Sequence, residues 1–129
     1  MRDLYESCGT RIAAARDAFS GGDLAVRMAR HHRDPAVTFH NWNDVWLSEE
    51  FRSWDLRPLL ADITAPLLAI QGTADPYGTA LHVEAVRDGS AGPVELLLLD
   101  CAHAPHLEAA EPVTAAVVRF LASLPNCAG

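Results

Sequence analysis

Two short apolar runs, each ending directly in a polar loop, constrain this chain more than anything else in it. The first is Pro66-Leu67-Leu68-Ala69-Ile70, followed by Gln71-Gly72-Thr73-Ala74-Asp75-Pro76-Tyr77-Gly78-Thr79. The second is Val94-Glu95-Leu96-Leu97-Leu98-Leu99, followed by Asp100-Cys101-Ala102-His103-Ala104-Pro105-His106. Neither run alternates cleanly between apolar and polar residues. That suits strands buried on both faces, as in a parallel sheet covered by helices. Between them, Thr79 to Arg87 reads as a helix bearing Leu81, Val83, Ala85 and Val86, and Gly89-Ser90-Ala91-Gly92-Pro93 turns the chain back. The result is one βαβ unit. Both loops then leave the carboxyl ends of neighbouring strands, where the ligand sites of α/β sheets gather.

Upstream, the pattern is helical. Asp3 to Phe19 is alanine-rich, with Leu4, Cys8, Ile12 and Ala15 on one stripe, and Ser20-Gly21-Gly22 breaks it. Asp23 is expected to cap a second helix through about His31. Asp34-Pro35 opens a third, with proline at the first helical position, where its missing N–H is harmless. Phe39, Trp42 and Trp46 follow on that helix at spacings of three and four. Ser48 is expected to cap a short turn containing Phe51 and Trp54, and Asp55 to Ile63 reads as a further short helix. Downstream, a closing helix is expected from near Pro112. Val113, Ala116, Val117, Phe120, Leu121 and Leu124 form its apolar face, and Pro125 ends it. The expected organisation is a helical region over 1–54 and an α/β region over 55–129.

Composition excludes several functions. The chain has 129 residues, half of them hydrophobic, enough for one modest core. A net charge of -7 with scattered arginines argues against nucleic-acid binding, which needs clustered cations. No apolar stretch is long enough to span a bilayer, and Met1 to Glu6 lacks the apolar core of a signal peptide. The three cysteines, Cys8, Cys101 and Cys127, have no metal-ligand spacing, so a reduced, cytoplasmic setting is expected.

From about Asp55 onward the chain resembles the C-terminal part of an α/β-hydrolase. The matching pieces come in order: a helix, a proline before an apolar strand, Gln71-Gly72-x-x-Asp75, a helix and a second apolar strand. His103-x-x-x-x-Glu108, Glu111-Pro112-Val113 and an amphipathic helix complete the series. The aromatic helical stretch from Asp23 to Trp54 resembles the cap inserted before those strands. The resemblance implies a partial α/β-hydrolase fold: a helical cap, a two-stranded parallel βαβ unit and a C-terminal helix. It implies that Asp75 is the acid and His103 the base of a Ser-His-Asp triad, with the carboxylate fixing the imidazole tautomer. Gly72 is expected to let the chain turn sharply before the acid, and Pro76 to stiffen the exit. Trp42 and Trp46 are the candidates to face a substrate pocket, while the other cap aromatics pack. No metal or organic cofactor is implied.

The nucleophile departs from the family pattern. None of the six serines sits in a Gly-x-Ser-x-Gly turn. The family order places the serine before the cap, so it is expected upstream of Met1 or absent. Cys101 is a poor substitute, because apolar neighbours would raise its pKa. A metal site built on His103 and His106 is disfavoured because Ala104-Pro105 suits a helix badly and no third ligand is spaced to match. The expected function is the acid-and-base portion of a hydrolase of carboxylic esters or related acyl bonds, inactive alone. Its partners are a small acyl or ester substrate once the N-terminal half is supplied, and a second copy through an open strand edge. The alternative is a non-catalytic interaction module or remnant that pairs through that edge.

Overall fold

The computed structural model describes residues 2–125, and their side chains from residue 9 onward. Leu4 and the side chain of Cys8, expected on the first helical stripe, and Cys127 therefore lie outside the described side chains. The chain divides into two compact units, Met1–Asp55 and Leu56–Gly129.

The first unit holds helices α1 (Arg2–Gly21), α2 (Leu24–Met28) and α3 (Pro35–Leu47), then a 3-10 turn over Glu50–Ser53. Its apolar centre is Ile12 and Ala15 of α1 with Phe39 of α3, all buried. Phe19 stacks on Phe39 with ring centroids 4.1 Å apart. Asp34 opens α3 as the sequence suggests: its extended backbone turns the carboxylate to accept from the Val37 N–H at 3.0 Å. Such a cap contributes about 1 kcal/mol. Ser48 likewise accepts from the Phe51 N–H at 3.2 Å.

The second helix is shorter than expected. It ends at Met28, and Asp23 makes no side-chain cap. The Asp23 backbone is already near-helical (φ -90°, ψ -2°), so its carboxylate is not folded back over the first amides. The His31 and His32 N–H groups both donate to the Met28 carbonyl and close the segment as a turn.

The second unit begins with a 3-10 turn over Arg57–Asp62. It continues through β1 (Leu67–Gly72), α4 (Ala80–Gly89), β2 (Val94–Leu99), α5 (Pro105–Glu108) and α6 (Ala110–Ser123). β1 and β2 pair in parallel, from Leu67 opposite Val94 to Gly72 opposite Leu99. Thr79 precedes α4, where its N–H donates to Nδ1 of His82 at 3.0 Å, and Val83 is the buried residue of that helix. Among the described residues no helix is long and apolar enough to cross a membrane.

Two expectations need correction. The strands are not buried on both faces: Leu67 to Gln71 are half-buried, and Glu95 and Leu98 are exposed. Among the described residues each strand has a neighbour on one side only. Exposed Glu95 instead forms an ion pair with Arg119 of α6. The second correction concerns the prolines. α5 starts at Pro105 and α6 at Ala110, ahead of Pro112. Both prolines fall in a first helical turn, where the missing amide would have had no helical partner.

Candidate active site

The strand pairing runs past the strands. Beyond Gly72, the Thr73 N–H donates to the Leu99 carbonyl at 2.8 Å, and the Ala74 N–H to the Cys101 carbonyl at 3.1 Å. The two loops are thus stitched together before either reaches its functional residue. Gly72 is buried beneath this seam, and a Cβ there would collide with the Cys101 and Ala102 carbonyl oxygens. This corrects the reason given by the sequence. No described glycine has a positive φ, so Gly72 is required by the approach of the opposite backbone, not by a turn only glycine can make.

The seam brings Asp75 and His103 together. Nδ1 of His103 lies 3.0 Å from Oδ2 and 3.1 Å from Oδ1 of Asp75. The Asp75 side chain is only 6% exposed, whereas that of His103 is 65% exposed. Two further donors hold the carboxylate. The Tyr77 N–H donates to Oδ1 at 2.8 Å, and Nε2 of Gln71 donates to Oδ2 at 2.7 Å. The Tyr77 ring meets the imidazole edge-on, with centroids 5.1 Å apart.

Burial is the largest influence on the Asp75 carboxyl and pushes its pKa up. Hydrogen bonds from His103, the Tyr77 N–H and Gln71, with the His103 charge, outweigh it, so the net shift is downward. Asp75 is therefore an anion at neutral pH and can only accept. Nδ1 of His103 must then carry the proton, which leaves the Nε2 lone pair as the basic position. A base at the end of one strand, oriented by a buried carboxylate at the end of its neighbour, is suited to taking a proton from a hydroxyl or thiol.

Cys101 is half-buried and free. Burial first, then the Glu108, Asp100 and Asp75 carboxylates, push its thiol pKa up, which disfavours the thiolate. Trp42 and Trp46 belong to α3 of the first unit. There Trp42 meets Phe39 edge-on at 5.8 Å, and Trp46 packs on Phe51 at 4.7 Å between centroids.

Sequence reasoning placed Gln71 in a motif but gave it no role. The signal was its spacing: four residues before the acid, at the last half-buried position of β1, an amide can fold back inside the loop. Glu108, at the end of the His103-x-x-x-x-Glu108 stretch, is a second such residue. Its carboxylate accepts from the Ala102 and Ala104 N–H groups, at 2.7 and 2.9 Å.

Comparison with solved structures finds a similar fold in hydrolases. A hydrolase from Pseudomonas aeruginosa PA01 is 26% identical, with a TM-score of 0.54 over 92% of this chain and 51% of its own. The enol-lactonase from Burkholderia xenovorans LB400 is 24% identical, with a TM-score of 0.53 over 95% of this chain and 51% of its own. The chain thus spans about half the length of these structures. No family profile matches the sequence, and none of the curated proteins compared matches it.

Proposed function

From a chain that has the α/β-hydrolase fold over about half of that fold's length, we propose that Asp75 and His103 are the acid and base of a serine-type hydrolase. Its substrates are small carboxylic esters or related acyl compounds. The observation that carries this reading is the contact of Nδ1 of exposed His103 with the buried Asp75 carboxylate.

The chain's own sequence contains no Gly-x-Ser-x-Gly turn, so the attacking hydroxyl comes from the rest of the fold. Nε2 of His103 takes the proton of that serine as its oxygen attacks the ester carbonyl. The proton then passes to the departing alkoxide, leaving an acyl-enzyme. In the second half, Nε2 takes a proton from water, the hydroxide displaces the serine, and the proton returns to the serine oxygen. Asp75 keeps the imidazole in the useful tautomer and stabilises the imidazolium in both halves.

The test is p-nitrophenyl ester turnover, with an enol-lactone in the panel, by this chain alone and with a polypeptide carrying the preceding half of the fold. Turnover should appear only in the combination. It should fall on the order of 10³-fold or more in Asp75→Asn and His103→Ala. Full turnover in both variants refutes the assignment.

A second reading is favoured by the sheet itself. Among the described residues each of β1 and β2 has one unpaired edge, a template for another strand. On this reading the chain is a non-catalytic module that pairs through that edge. Concentration-dependent association in sedimentation, with no ester turnover in any combination, would favour it.

A further inference from the structure

Glu108 closes a bridge across the base. Its Oε2 accepts from the Ala102 N–H and its Oε1 from the Ala104 N–H, the amides of the two residues flanking His103. Between these amides lie the φ and ψ angles of Ala102 and His103. A carboxylate that holds both amides therefore restrains all of these rotations, and with them the direction in which the imidazole leaves the backbone.

Helix capping accounts for only half of this. Ala104 is the residue before α5, so its N–H is one of the orphan amides of a helix start, and a glutamate reaching back to it is a familiar cap. The Ala102 N–H lies two residues outside the helix and is no part of that start. Neither Ala102 nor Ala104 has a polar side chain of its own with which to fix the backbone on either side of His103. The two amide hydrogen bonds hold the Glu108 carboxyl below the usual carboxylate range, so the bridge is charged at neutral pH.

We propose that Glu108 is a positioning residue for His103, holding the backbone on both sides of the base so that its Nδ1 meets Asp75. The proposal rests on the reading of Asp75 and His103 as acid and base. It explains the His-x-x-x-x-Glu spacing physically: a single helical turn is what returns the carboxylate over the loop it leaves.

The test needs no turnover. In the ¹⁵N-labelled chain, NMR follows hydrogen exchange at the Ala102 and Ala104 amides and the resonance of the His103 Nδ1 proton. Glu108→Ala should speed exchange at both amides about tenfold or more, and broaden or abolish the Nδ1 proton signal although Asp75 is intact. Glu108→Gln, which keeps the size and one acceptor oxygen, should fall between. It carries the same test if the alanine variant does not fold. If only the Ala104 amide responds and the Nδ1 signal persists, Glu108 is a helix cap and the proposal is overturned. Asp75→Asn separates the two readings. It should abolish the Nδ1 signal while both amides stay protected, and an unchanged signal there would sink the acid–base pair rather than the role of Glu108.

Discussion

Each unit buries a polar side chain, and the two are used in opposite ways. In the first unit Asn43 is fully buried. Its Nδ2 donates to the Ile12 carbonyl at 2.7 Å and its Oδ1 accepts from Nε of Arg16 at 3.0 Å, so it is spent on joining α3 to α1. Arg16 in turn pairs with Asp44 at 2.9 Å. In the second unit the Asp75 side chain is almost as buried, but its contacts lead outward, to a histidine whose side chain is largely exposed. A buried polar group whose hydrogen bonds tie one helix to another is a fastener. One whose hydrogen bonds end on an exposed titratable ring is a candidate for chemistry.

The sharpest way to break this comparison is Gly72→Ala. The new methyl meets two backbone oxygens that have nowhere to go, so the seam must open. The second unit should lose about 3 kcal/mol or more, together with the His103 Nδ1 proton signal. Denaturant unfolding followed by NMR checks both. Tryptophan fluorescence should report the first unit unchanged, since Trp42, Trp46 and Trp54 all lie there. Next in size is Asn43→Ala, which leaves the Ile12 carbonyl without its side-chain donor. It should cost about 2 kcal/mol in the tryptophan-detected transition and leave the Asp75–His103 contact as it is.

Gln71→Leu tests the other side of the contrast. Removing the donor at 2.7 Å should cost about 1–2 kcal/mol and let the Asp75 carboxyl rise toward its ordinary value, read by NMR titration. The smallest effect is the acid response. Asp75 is held below its ordinary value of 3.8 in the folded chain. Its contribution is therefore complete above that value and is lost as the pH falls through the lower folded value. Thermal unfolding from neutral pH down to strong acid should show this loss for the wild type, and a smaller one for Gln71→Leu.

Much of this was legible in the sequence because it rests on local rules. Two apolar runs with a helix between them can pair in parallel only one way round, and that alone brings residues 75 and 103 to one edge. Asp34-Pro35 announced the start of α3, since a capping carboxylate and a first-turn proline act within four residues. Three things were hidden. Asn43 sits on α3 among Phe39, Trp42 and Trp46 and carries no mark of the carbonyl it meets on α1. The role of Gly72 lies in the loop after β2, at the Cys101 and Ala102 carbonyls. Pro105 looked hostile to a helix only because its place in the first turn was unknown.

The seam beneath Gly72 has a mechanical corollary. Two backbones in contact, pinned at Thr73 and Ala74, leave no slack between the loops they lead into. The strand ends that bear carboxylate and imidazole then move together. A motion that reshapes their surroundings carries both ends along, and parting those ends requires unzipping the chain at its base, while the aim of the imidazole itself stays adjustable within the loop.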